Sequence, residues 1–171
     1  MSKSAELVRL IRDRAGPDAP EYGLILGSGL GHIAATVEGV AIPYSDLPGF
    51  PHAGVSGHGP QLVSGQREGR RVAVCGGRAN NYDPGRPDAM RLPLEVLAGL
   101  GTRQLILTNA AGSVREAMPP GSLMMLSDHI NLSGANPLIG EKTDARFQPM
   151  TDAHDGALRA GLRTPTRTVL W

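Results

Sequence analysis

Aromatic side chains are scarce: two Phe, three Tyr and one Trp, only 4% of the 171 residues, so the core must rest on Leu, Val, Ile, Met and Ala. A single cysteine, Cys75, excludes an internal disulfide, and its place in the apolar run 72–75 predicts a buried, inert thiol. No stretch reaches the roughly 18 consecutive apolar residues of a membrane helix. Residues 1–17 alternate charged and apolar side chains rather than forming the apolar stretch of a secretion signal, so a cytoplasmic protein is expected. Basic and acidic residues nearly cancel, 17 against 16, which argues against a nucleic-acid surface. No Cys/His cluster has metal-ligand spacing, so neither a metal nor an organic cofactor is expected.

Glycine and proline are plentiful, 23 and 14 copies, too many for a helical bundle and a sign of many turns. The length predicts one domain able to bury roughly 70% of its unfolded surface. Residues 4–15 place Leu7, Leu10 and Ile11 on one helical face, with Ser4 as N-cap and Gly16-Pro17 as the stop. Residues 22–26 have the length of a buried strand and lead through glycines into a helix-like segment, 32–37. Residues 61–64 and 71–75 flank a polar centre and read as an antiparallel hairpin. Residues 88–100 have helical periodicity, with Pro93 in the first turns. Residues 104–108 and 122–126 read as further strands, and 157–162 begin a helix that Thr164-Pro165-Thr166 stops. This order predicts an α/β fold with a mixed β-sheet flanked by helices.

Four glycine-rich or small-residue segments fall where strands end or loops begin. Gly27-Ser28-Gly29-Leu30-Gly31 combines a strand exit, a glycine turn and a helix start, which either cradles an anion on backbone N–H groups and the Ser28 hydroxyl or is a tight structural turn. Its spacing disfavours a dinucleotide-binding module, which needs the third glycine where His32 stands, and a nucleotide P-loop is excluded by the missing Gly-Lys-Ser/Thr. His58, between two glycines, is either a solvent-exposed loop residue or a ligand contact. In Gly76-Gly77-Arg78-Ala79-Asn80-Asn81-Tyr82, Arg78 either projects its planar fork at phosphate or lies beside a turn at the surface, while Tyr82 offers a ring to a sugar. Thr108-Asn109-Ala110-Ala111-Gly112-Ser113 leaves its peptide groups bare, for a ligand or for close packing. Three such segments at the exits of three strands favour a ligand. Further on, the adjacent Asp128 and His129 read best as a buried hydrogen-bonded network that fixes its loop.

Taken in order, these segments resemble the trimeric family of purine nucleoside phosphorylases. The resemblance covers roughly residues 20–158 and includes Asn109-Ala110-Ala111-Gly112, Ser127-Asp128-His129-Ile130-Asn131, Asn136-Pro137-Leu138-Ile139-Gly140, Arg146-Phe147 and Met150-Thr151-Asp152-Ala153. It implies that Ser28, His58, Arg78 and the Ala110 amide hold phosphate, His58 and Arg78 also serving catalysis. Tyr82 would border the ribose, and Phe147 would cover the ribose of a neighbouring subunit in a homotrimer. Where the family has a further phosphate-binding histidine, this chain has Asn80, which donates a hydrogen bond but carries no charge.

The reaction implied is phosphorolysis of a purine nucleoside, a glycosyl transfer to inorganic phosphate as co-substrate. A methylthioadenosine phosphorylase of the same fold is one alternative; an inactive fragment that at most binds phosphate is another. Residues 1–158 are expected to form the N-terminal part of the phosphorylase domain, with the C-terminal portion of the fold missing and no base-binding residue present. Residues 159–171 hold three arginines and no acid and are expected to be a divergent tail.

Overall fold

The computed structural model describes residues 1–51, 60–79 and 86–163. The backbone separates into two compact units, Met1–Ala110 and Ala111–Trp171, the division falling within the small-residue segment after residue 107.

The first unit holds a five-stranded mixed sheet in the order β2-β3-β4-β1-β5. Its strands are β1 (Tyr22–Ile25), β2 (Glu38–Pro43), β3 (Gln61–Arg67), β4 (Arg70–Cys75) and β5 (Gln104–Leu107). The hairpin of β3 and β4 turns through Glu68 and Gly69, both at positive φ, a pairing suited to a two-residue turn. The strand β2, which no alternation in its sequence announces, adds antiparallel to β3 at the sheet edge. Both neighbours of β1 are parallel to it, with Ile25 level with Cys75 on one side and with Leu107 on the other. Three strands therefore end at the same height.

Side-chain alternation sorts the core onto two faces. On one, Leu7, Val8 and Ile11 of helix α1 (Lys3–Ala15) and Val96, Leu97 and Leu100 of helix α2 (Arg91–Leu100) pack on Ile25, Ile42, Leu62, Ala73 and Cys75. On the other, Val63, Val72 and Val74 meet Ile33, Ala34 and Val37. The second face is covered by a 3-10 segment, Gly31–Thr36, so the two α-helices among this unit's described residues flank one side only. Expectation and structure differ over the α1 cap: Ser2, not Ser4, accepts from the Ala5 N–H. Pro93 sits inside the first turn of α2, where its missing N–H leaves no helical bond broken.

Among its described residues the second unit has one α-helix, α3 (Gly156–Arg163), and a short 3-10 turn, Asp144–Arg146. Residues 122–126, expected as a strand, are irregular, because no neighbouring strand among the described residues satisfies their backbone. No described residue of this unit is buried, and Leu123, Ile130, Leu132, Ile139 and Phe147 are exposed.

Candidate functional site

The level ends of β4, β1 and β5 deliver three loops to one place. The Leu26 N–H donates to the Cys75 carbonyl and the Thr108 N–H to the Ile25 carbonyl, carrying both parallel ladders one residue past the strands. Beyond that, Thr108 joins all three exits. Its Oγ1 accepts from the Gly27 N–H at 2.8 Å, and its carbonyl accepts from Arg78 Nη1 at 2.8 Å. Gly27 is buried against this corner: a Cβ there would stand 2.6 Å from the Thr108 carbonyl oxygen. Only a residue without a side chain lets the two backbones meet.

From Gly27 the chain turns sharply, with the Leu30 N–H donating to the Gly27 carbonyl and Gly29 at φ +83. This turn lifts Ser28 into solvent at its tip. The segment expected to be helix-like over 32–37 is a 3-10 helix, Gly31–Thr36. Six residues with His32, Thr36 and Val37 of low helix propensity do not sustain an α-helix. Any anion cradle here therefore uses turn amides and the Ser28 hydroxyl, not a long helix dipole.

Arg78 is half-buried, its guanidinium held by the Thr108 carbonyl. Two further bonds fix the strand exit that carries it: the Gly76 N–H to the Gln61 carbonyl, and the Tyr44 hydroxyl to the Gly77 carbonyl at 2.8 Å. Tyr44 is buried and meets Phe50 edge-on at 4.9 Å between ring centres. Its phenol is pushed well above its ordinary range, first by burial and then by the neighbouring Cys75, and so stays a donor. Cys75 is fully buried, and burial raises its thiol to about 11, as expected of an inert residue. Ala110 is exposed just beyond, beside Asn109, whose side-chain amide donates to the Ala110 carbonyl.

A family model for the phosphorylase superfamily matches residues 21–169. The chain belongs to this superfamily. Purine nucleoside phosphorylase 1 of Geobacillus stearothermophilus is 50% identical over 147 residues, covering 84% of this chain and 54% of the relative. The Bacillus subtilis purine nucleoside phosphorylase 1 is 44% identical, covering 81% and 53%. A crystal structure of purine nucleoside phosphorylase with ribose 1-phosphate superposes with a TM-score of 0.82 at 35% identity, covering 92% of this chain and 60% of the other. The Schistosoma mansoni enzyme with inosine gives 0.81 at 34% identity, with 92% and 57% covered. The chain thus spans about half the length of the curated relatives it matches.

Within this phosphorylase chain, the loops of Ser28 and Arg78 and the segment leading to Ala110 come together. His58, Asn80 and Tyr82 lie outside the described residues. Phe147 belongs to the second unit, where it is 68% exposed and the Arg146 guanidinium lies 4.7 Å from its ring centre. Asp128 and His129 are hydrogen-bonded but exposed, not buried as expected: no described residue of the unit that carries them is buried.

Three residues escaped the sequence reading. Thr108 was legible only as the start of a motif, and its role as hub depends on strands 81 and 30 residues away in the chain. Tyr44 lies in a stretch with no motif. His154 meets His129 across 25 residues, and with Asp128 forms a cluster that spacing does not reveal.

Proposed function

We propose that this chain carries the phosphate site and part of the ribose site of a purine nucleoside phosphorylase, converting purine nucleoside and phosphate to free base and ribose 1-phosphate. The observation that carries this reading is the three-way junction at Thr108, which gathers the Ser28 turn, Arg78 and the Ala110 segment at the carboxyl ends of parallel strands. Open α/β sheets bind ligands at such ends.

In this reading the C1′–N bond to the base breaks as an oxygen of hydrogen phosphate bonds to C1′, and the base leaves with the proton that the phosphate gives up. Positive charge grows on the sugar as the bond lengthens. A phosphate dianion held beneath C1′ stabilises that charge and is already in position to attack. Arg78 and His58 balance the phosphate's charge and aim it. Ser28, Asn80 and the Ala110 amide donate hydrogen bonds, and Tyr82 borders the ribose. The chemistry is electrostatic positioning and calls on no metal or organic cofactor.

Phe147, exposed and already stacked by Arg146, suits a role against a neighbouring subunit's ribose, in a homotrimer working in cytoplasmic purine salvage. Among the described residues no helix is long and apolar enough to cross a membrane. The residues that the family resemblance assigns to the purine fall beyond position 158, so phosphate binding is the more direct test. Calorimetric titration with phosphate should give saturable binding that Arg78→Ala weakens by roughly 10- to 100-fold, the worth of one or two charge-assisted bonds. Equal affinity in both proteins would remove Arg78 from the site. Release of hypoxanthine from inosine, dependent on phosphate, tests the complete reaction.

A further inference from the structure

We propose that Asp128, His129 and His154 form a binding site for one divalent transition-metal ion of the zinc type. The ligand atoms of the three side chains lie within 4.8 Å of one another. His129 Nδ1 and His154 Nε2 are 3.1 Å apart, with the rings inclined at 70°. Two nitrogens bound to one ion at ~2.0–2.1 Å stand roughly 2.9 Å apart at a right angle and roughly 3.3 Å apart in a tetrahedron. The observed spacing lies between these values, but with ring centres 5.4 Å apart the two nitrogens face each other head-on, so each ring must turn by roughly 40° to aim its lone pair at one ion. Because two facing ring nitrogens share a hydrogen bond, one carries a proton; when the ion takes that proton's place, the ring shifts to the tautomer protonated at its other nitrogen and binds as a neutral imidazole. The Asp128 carboxylate, whose oxygen already lies within 4.8 Å of both ring nitrogens, supplies the third position, and water completes the set. Two imidazoles and one carboxylate suit zinc, nickel or copper rather than magnesium or calcium.

The ligands are held by their own surroundings. Asp128 Oδ1 accepts from the His129 N–H at 2.8 Å, fixing that turn. His154 directly precedes Asp155, which caps α3 by accepting from the Leu158 N–H at 2.7 Å. Arg159 of α3 reaches back to the Ser127 carbonyl at 2.8 Å, so the two ligand-bearing segments are already tied. This unit has no buried residue among those described, and units without a core are the ones that metals staple. The ion would join residues 127–129 to the start of α3. None of its three residues is assigned to the phosphate site, and the proposal stands without the phosphorolysis reading.

The test is calorimetric titration of the full 171-residue chain, stripped of metal, with zinc chloride. One ion should bind per chain, with affinity lowered at least tenfold by either His129→Ala or His154→Ala and unchanged by His32→Ala. Nitrogen-15 imidazole spectra of the unaltered chain provide a reading independent of how the variants fold. Zinc should shift the ring resonances of His129 and His154 together. Absence of stoichiometric binding, unchanged affinity in His154→Ala, or shifts confined to other histidines would overturn the proposal.

Discussion

Replacing Gly27 by alanine tests whether the junction at Thr108 is a true close approach. The added methyl would lie 2.6 Å from the Thr108 carbonyl oxygen, 2.7 Å from Asn109 Cα and 3.0 Å from the Thr108 carbonyl carbon. All three atoms are backbone, so no rotamer relieves the clash, and the β1 and β5 exits must separate by roughly 1 Å to restore ordinary contact. Overpacking of this kind costs about 1–3 kcal/mol. The same movement stretches the 2.8 Å bond from the Gly27 N–H to Thr108 Oγ1, worth about 0.5–1.5 kcal/mol. Together the loss is about 2–4 kcal/mol, a large part of the roughly 5–15 kcal/mol that holds a domain folded. In urea unfolding followed by circular dichroism, with a slope of about 2 kcal/mol per molar, the midpoint should fall by about 1–2 M. Gly112→Ala is the control, because a Cβ there meets nothing within 4 Å, and its cost should stay below about 0.5 kcal/mol. Equal midpoints for the two variants would refute the close approach and, with it, the convergence of the loops.

Three further outcomes follow from neighbouring residues. Tyr44→Phe removes the hydroxyl that holds the Gly77 carbonyl, so stability should fall by about 1 kcal/mol and phosphate affinity should weaken, though less than in Arg78→Ala. Unaltered phosphate affinity would show that Tyr44 does not position the Arg78 loop. Burial raises the Cys75 thiol from 9.0 to about 11, so the folded state keeps a proton that the unfolded chain gives up. That contribution is complete below pH 9 and is lost between pH 9 and about 11, at about 1.4 kcal/mol per pH unit. Cys75→Ala should flatten this alkaline decline, and a profile as steep as that of the unaltered chain would count against it. Asn80→His restores a group able to carry charge, and should lower the phosphate dissociation constant; no improvement would reject the role given to position 80.

Much of the first unit follows from short-range pattern. Leu7 and Ile11 repeat with helical spacing, and the apolar residues of 71–75 alternate between two faces around a two-residue turn. Where pattern alone misled, a partner was the missing quantity. Residues 122–126 have a strand's composition, but a strand exists only where another backbone completes its hydrogen bonds. Asp128 and His129 have the polarity of a buried network, but burial requires a core, and no described residue of the second unit is buried.

The candidate site divides along the same line. By itself the sequence determined which side chains are chemically able to meet an anion, Ser28 and Arg78 among them, and the order of loops that marks the family, because both depend on residue identity and near neighbours. Only the tertiary structure decided that Ile25, Cys75 and Leu107 end level, that Thr108 binds Gly27 and Arg78 at once, and that His154 faces His129. Each of these is a pairing between segments 25 to 82 residues apart, set by strand register and by the path of the intervening chain rather than by any local preference.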